Sequence, residues 1–199
     1  VGSEMCIRDR DKFLSINKKA IQELRNEEFT WGPVHGYGTP AWLGSINDYG
    51  MMPTRNFLDN SFDGMEPLLP YNLWNNTERF KIRRRACYAC QLGCHKYVYM
   101  GDVEIGELEY ETIAGLGPRC GINNYEDIAL AAYYTTIYGI DVISAGATVS
   151  AAMEWYEKGI ITSEDVDGLE LTFGNGKAMS ELIRKMGLRE GAGDIFADG

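Results

Sequence analysis

From Asp11 to about Glu28, Phe13, Ile16, Ala20, Ile21 and Leu24 recur at three- and four-residue spacing. That pattern predicts a helix with one apolar stripe and an acid in its first turn, and such a stripe needs a partner surface. Trp31–Pro40 reads as a Gly/Pro connector, Ala41–Tyr49 as a short helix stopped by Gly50, and Met51–Phe57 as an extended segment in which Pro53 keeps Met52 out of the helical region. Residues 59–77, rich in Asn, Asp and Pro, read as irregular chain or short helix. Alternation from Lys96 to Ile105 predicts a short strand or ribbon that turns at Gly101-Asp102. Asn123-Asn124 can cap a helix over Tyr125–Tyr138 that Gly139 closes, and Asp141 opens another over Val142–Lys158, closed by Gly159. In that second helix Ala145, Gly146, Ala147, Ala151 and Ala152 let another helix or a ligand come close. A further helix is predicted over about Lys177–Met186, ending at Gly187, and Asp194 reads as the N-cap of one more. The predicted fold class is mainly α: an irregular helical domain with short strands or ribbon near residues 96–110.

The chain has 199 residues, 45% of them hydrophobic, which suits one good-sized domain or two small ones. Its formal net charge of −10 argues against a nucleic-acid or anionic-membrane partner. No apolar run approaches the ~18 residues that span a bilayer. Five cysteines, three of them clustered, do not resemble an extracellular disulfide framework, and without a secretory signal a reducing cytoplasm is the expected setting. Residues 1–10 fit neither helix nor strand periodicity and read as a non-native tail, which removes Cys6 from consideration.

The candidate chemistry centres on Cys87-Tyr-Ala-Cys90-Gln-Leu-Gly-Cys94-His95, directly behind Arg83-Arg84-Arg85. Two residues between the first thiols allow a tight turn that aims both at one centre, and three more bring Cys94 round. Soft thiolates select zinc or iron–sulfur clusters, which normally take four protein ligands in a closed site. The fourth could be His95, although adjacent residues tend to point apart, or Cys120 if the chain folds back, or a residue outside this chain. A 4Fe–4S cluster with four thiolates is anionic, so nearby arginines would favour its reduced form. A zinc-stabilised helical interaction module, a thioredoxin-like redox pair at Cys87 and Cys90, and buried thiols clustered by chance are the alternatives. His35 has no second donor beside it and reads as a loop or capping histidine. Glu107, Glu109 and Glu111 would face one way on a strand and spread around a helix. Exposed, they are a solvated charge run; in a cleft, one would be a raised-pKa acid or base.

In this order and spacing, several stretches resemble the aldehyde ferredoxin oxidoreductase family, tungsten or molybdenum enzymes with a bis-pterin cofactor beside a 4Fe–4S cluster. They are Gly38-Thr39, Met52-Pro-Thr-Arg-Asn-Phe57, the Cys87–Cys94 run, Glu109-Tyr-Glu-Thr112, Cys120-Gly-Ile-Asn123, Gly139-Ile-Asp-Val-Ile-Ser144 and Ala151-Ala-Met-Glu-Trp-Tyr-Glu-Lys-Gly159. The resemblance covers nearly all of residues 11–199. It implies one helical domain that binds the cluster and contacts the pterin, as an internal fragment of a longer enzyme, with a fold like the family's first helical domain. It further implies that Cys87, Cys90 and Cys94 hold the cluster with a fourth cysteine beyond Gly199, and that Glu111 serves proton transfer or substrate activation. Gly139, Ile140 and Asp141 would meet the pterin; Thr136 stands where the family's Asp-x-x-Gly-Leu-Asp pattern has its first acid. Leu130 and Tyr133 replace the Glu-x-x-His with which some members bridge subunits through a metal, so that site is expected to be missing, although a homodimer stays open. The implied reaction oxidises an aldehyde to a carboxylic acid and passes electrons to ferredoxin; relatives that reduce aromatic thioesters or act on hydroxyacids leave the substrate open.

Overall fold

The computed structural model describes residues 9–88 and 90–199, so the proposed tail lies outside the described residues except for Asp9 and Arg10. Helix α1 (Arg10–Asn26) forms where the apolar stripe predicts it, but none of its residues is buried, and Phe13 and Ile16 stay exposed. Helix α2 (Glu28–Tyr37) replaces the predicted connector. The Glu27 carboxylate caps it by accepting the Thr30 N–H at 2.6 Å, and the Trp31 N–H donates to the Glu27 carbonyl at 2.8 Å. Pro33 lies inside this helix, which forgoes one backbone bond there; the proline marked a weak point rather than an end. A 3₁₀ turn at Thr39–Trp42 leads into α3 (Leu43–Asp48), and Gly50 follows with φ 66°.

The segment predicted as extended departs from that at its end. Arg55, Asn56 and Phe57 take φ of 45°, 52° and 64°, inside a turn closed by a bridge between Thr54 and Asp59. Proline fixes its own φ and restricts the residue before it, so Pro53 settles itself and Met52 and says nothing of these three. Left-handed backbone costs roughly 1–2 kcal/mol per non-glycine residue. Tertiary bonds offset it: the Arg55 and Asn56 amides donate to the Pro118 and Arg119 carbonyls at 3.0 and 2.9 Å, and Asn56 Nδ2 donates to Glu154 at 2.6 Å.

After α4 (Pro70–Asn75) the chain enters a three-stranded antiparallel sheet: β1 (Phe80–Arg85), β2 (His95–Met100) and β3 (Val103–Glu107), in that order. The β2–β3 hairpin is the predicted ribbon. Strand β1 was hidden because only Phe80 and Ile82 break its run of charge, yet it pairs along its length with β2, from Phe80 opposite Met100 to Arg85 opposite His95. The cysteine loop therefore connects two neighbouring strand ends. A register irregularity at Val98/Tyr99 separates the pairing of Tyr97 with Glu107 from that of Tyr99 with Glu104.

Helices α5 (Tyr110–Leu116), α6 (Tyr125–Tyr138), α7 (Val142–Glu157), α8 (Gly176–Leu188) and α9 (Ala192–Phe196) build the body of the protein. Asn124 and Asp141 cap α6 and α7 as predicted, accepting the Asp127 and Ser144 N–H groups, and Gly139 ends α6 in the left-handed conformation. Helix α8 runs past Gly187 and closes at Arg189 with φ 51°, and Asp194 sits within the first turn of α9, where it pairs with Arg189 at 3.0 Å instead of capping. The core draws on fully buried Ile113, Leu116, Ile128, Val149, Met153, Leu182 and Ile183. The small residues of α7 admit a helix: a Cβ at Gly146 would stand 2.6 Å from the Gly115 carbonyl oxygen, so α5 and α7 touch backbone to backbone. The fold is mainly helical with a small antiparallel sheet, as the sequence predicts. Among the described residues no helix is long and apolar enough to cross a membrane.

Candidate functional site

The cysteine loop begins with a tight turn in which the Cys90 N–H donates to the Cys87 carbonyl at 3.0 Å. Cys87 and Cys90 are exposed and Cys94 is half-buried. Backbone N–H groups of Gly93 and Leu92 hold the Cys90 thiol below its ordinary pKa. Gly93 has φ 60°, and successive amides turned in this way form a concavity that accepts anionic sulfur, as in many iron–sulfur sites. Burial pushes the Cys94 thiol up, and the nearby Glu109 charge adds to that. A single zinc ion binds thiolate at about 2.3 Å and so draws its sulfurs to within roughly 4 Å of each other. Among the described residues only His95, Glu107 and Glu109 bring three such ligand atoms within 4.8 Å of one another.

Lys96, which the sequence did not single out, and His35, read there as a loop or capping histidine, secure this loop. Lys96, second residue of β2, is 2% exposed and its ammonium donates to the Gly93 and Cys94 carbonyls at 2.7 and 3.3 Å. Burial lowers its pKa. His35 Nδ1 donates to the Leu92 carbonyl at 2.7 Å, its other nitrogen accepts from Arg84, and Trp31 stacks on the ring. The ring tautomer follows from these partners. The three arginines divide as alternate residues of a strand must. Arg83 and Arg85 lie over the rings of Tyr99 and Tyr97, while Arg84 packs on Gly93. The cation closest to the thiol loop is thus Lys96, together with Arg84, and not the whole basic run.

Cys120 lies elsewhere. It is fully buried with Sγ 3.5 Å from the Gly115 carbonyl oxygen, and burial raises its thiol to about 12, which is the state of a packed core thiol rather than a ligand. His95 Nδ1 lies 2.5 Å from Glu107 Oε2, and its Nε2 faces Cys87 Sγ at 3.6 Å.

The acid run spans three settings. Glu107 ends β3, Glu109 precedes α5, and Glu111 lies in its first turn. All three nevertheless line one cavity of about 620 Å³, together with Thr136 from the last turn of α6 and Ile140 and Asp141 from the α6–α7 connection. Two stretches about thirty residues apart in the chain, picked out separately in the sequence, therefore meet. Gly139 does not line the cavity; its left-handed turn delivers Ile140 and Asp141 to it. Asp141 is held below its ordinary pKa by the Ser144 N–H it accepts, and Thr136 donates its hydroxyl to the Ala132 carbonyl of its own helix at 2.9 Å. Burial pushes Glu109 up, opposed by the Thr39 hydroxyl that donates to it at 2.5 Å and reinforced by Glu107. Thr39 in turn accepts the Tyr110 N–H at 2.9 Å.

The sign of a pH effect follows for Glu109. Its folded-state pKa exceeds the ordinary 4.5, so the folded protein holds that proton more tightly than the unfolded chain does. Below about 4.5 both states are protonated and the group costs nothing. Stability falls as pH rises from there to the raised value and stays reduced above it. Glu109→Gln keeps an acceptor for Thr39 without the charge, and should raise Tm at pH 7 while leaving it unchanged at pH 3; equal Tm at both pH values would count against this burial effect.

The sequence model described as "Aldehyde ferredoxin oxidoreductase, domains 2 & 3" matches residues 15–199. The chain belongs to the aldehyde ferredoxin oxidoreductase family. Its relatives include the tungsten-containing aldehyde ferredoxin oxidoreductases of Pyrococcus abyssi, 34% identical over 201 residues, and of Thermococcus kodakarensis, 35% identical over 195. Both alignments cover 97% of this chain and 32% of the relative. A 31% identical relative, covered to 30% by 92% of this chain, is the "Aliphatic sulfonate oxidoreductase, WOR-like subunit" of Pyrococcus furiosus. The chain thus spans about a third of the length of the curated relatives it matches.

Proposed function

We propose that this chain supplies the cluster loop and one wall of the cofactor cavity of a tungsten-pterin oxidoreductase that converts aldehydes to carboxylic acids and passes the electrons through a 4Fe–4S cluster to ferredoxin. The observation that carries it is the single cavity in which Glu111 meets Ile140 and Asp141. The balance is RCHO + H₂O → RCOOH + 2 H⁺ + 2 e⁻. When bound, the tungsten-pterin (molybdenum being the alternative metal) supplies the redox chemistry. The chain's own residues would do the rest. Asp141 and the Ile140 backbone orient the pterin, with Thr136 offering an uncharged acceptor where an acid would bind an amine more firmly. Glu111 takes up a proton released as water adds. Glu109, held by Thr39, keeps that wall of the cavity fixed. Cys87, Cys90 and Cys94 hold three irons, and the fourth ligand comes from outside these residues.

Anaerobic reconstitution of the intact protein tests the cluster. About four irons per chain are expected, and Cys90→Ala should lose them; zinc without iron would instead favour a zinc-stabilised module. The sulfonate-named relative supports a second reading of substrate in the same cavity. Turnover assays offering aldehydes and aliphatic sulfonates side by side decide between them.

A further inference from the structure

Residues 79–101 carry Arg79, Lys81, Arg83, Arg84, Arg85 and Lys96 and no acid, in a chain whose formal net charge is −10. Most of that positive charge lies on β1. Its alternate residues Lys81, Arg83 and Arg85 are exposed and share one face, opposite Tyr99, Tyr97 and His95 of β2. The Arg83 guanidinium lies 5.2 Å from the centre of the Tyr99 ring, and that of Arg85 lies 4.1 Å from the centre of the Tyr97 ring. An aromatic shelf of this kind holds a guanidinium in place while its edge N–H groups stay free to donate. The acids nearby do not use them up. Arg85 and Glu104 are 3.8 Å apart, Lys81 and Asp102 3.6 Å, and all four side chains are exposed, so these pairs are weak and exchangeable. The strand runs on into the cysteine loop, where Cys87 and Cys90 are exposed and Tyr88 between them is fully so. Charged side chains alone protect an edge strand from further pairing. That purpose calls neither for arginines seated on tyrosines nor for a bare aromatic ring beside the thiols.

We propose that this face, Lys81, Arg83 and Arg85 with Tyr88 at its loop end, is where a small acidic electron-carrier protein docks. The inference rests on the reading above, in which electrons leave through the cluster for ferredoxin. Charge decides the kind of carrier. A basic protein would be drawn to this chain almost anywhere else and turned away from the thiols, whereas an acidic one is attracted only where the negative field is locally reversed. Carboxylates of the carrier meet the Arg83 and Arg85 forks in paired hydrogen bonds, and Tyr88 adds an aromatic contact beside them. Because the tyrosines already hold both arginines, docking orders few side chains. Each docking passes one electron, so two carriers leave reduced for every aldehyde oxidised.

The test uses the intact protein, reconstituted anaerobically and turning over an aldehyde, with an acidic ferredoxin as acceptor and, in parallel, a small uncharged quinone that needs no docking face. Neither Lys81 nor Arg83 lines the acid cavity. The double substitution Lys81→Gln/Arg83→Gln is expected to raise the KM for ferredoxin about tenfold at low salt, and to flatten the fall in rate as salt is added. Iron content and turnover with the quinone should match the wild type. Lys18→Gln/Lys19→Gln removes the same charge from exposed positions of α1 and should leave the KM for ferredoxin near the wild-type value. An unchanged KM in the β1 variant, or an equal rise in both variants, would overturn the inference. So would a wild-type dimer that the β1 variant splits without a change in that KM, since the face would then belong to a second copy. A wild-type protein that takes up no iron, or that reduces the quinone but not ferredoxin, would instead sink the reading of cluster and acceptor, and this inference with it.

Discussion

Glu111→Gln in the intact enzyme is expected to lower kcat by about 10²–10⁴-fold, the range for losing a positioned general base, with tungsten and iron content unchanged. Adding water to an aldehyde and removing two electrons leaves two protons to place, and the cluster carries none of them. Of Glu107, Glu109 and Glu111, Glu111 is the exposed one, on the first turn of α5, where a bound substrate and water can reach it. Glu107 is committed to His95 and Glu109 to Thr39. Glutamine keeps the size and one acceptor but cannot take up a proton, so the variant isolates proton handling from shape. Steady-state turnover with metal analysis on the same sample is the measurement. Unchanged kcat would remove Glu111 from the proton step, and a comparable loss in Glu109→Gln alone would move that role to the buried acid.

Much of this site was legible in the sequence because its parts rest on local rules. Asn124, Asp141 and Gly139 end or begin helices by bonding groups within four residues of themselves, and the same turn that closes α6 presents Ile140 and Asp141. The Cys87–Cys90 spacing gives a turn by itself. What the residue pattern could not supply was long-range pairing. The left-handed run Arg55–Phe57 exists because the Pro118 and Arg119 carbonyls wait for its amides some sixty residues away in sequence. Pro33 sits within a helix because the Glu27 cap and the neighbouring backbone bonds outweigh one missing amide. Strand β1 is charged along most of its length and is a strand because β2 lies beside it.

The acid run shows the same divide. A strand would align Glu107, Glu109 and Glu111, and a helix would scatter them. The chain does neither, passing from strand to helix between them, and the three still converge because Thr39 grips Glu109 and the Tyr110 amide together. That threonine lies seventy residues earlier than Glu109. It belongs to the short Gly38-Thr39 stretch, whose significance no periodicity reveals.

Lys96→Met is expected to cost about 1–3 kcal/mol of stability, the penalty for orphaned buried acceptors, and to reduce iron retention more severely than that figure suggests. A signal for Lys96 was present: in His95-Lys-Tyr-Val-Tyr-Met100 a lysine shares the inward face with Val98, where strand periodicity calls for an apolar side chain. A buried ammonium is unfavourable by itself, and its lowered pKa records that. Methionine would relieve this charge and fill similar space, so a neutral outcome is the competing expectation. The partners decide the sign. The carbonyls of Gly93 and Cys94 remain after the substitution and lose their donor, although the exposed loop lets water recover part of the loss. Their release also frees the backbone that aims Cys94 and the Gly93 amide that serves Cys90. Lys81→Met removes the same charge from an exposed position of β1, whose partner Asp102 lies 3.6 Å away, and should change stability by less than about 0.5 kcal/mol. Thermal unfolding and iron content of the two variants, compared with the wild type, separate the effect of a lost charge from that of a lost support. Equal behaviour of the pair would show that Lys96 does not hold the cluster loop.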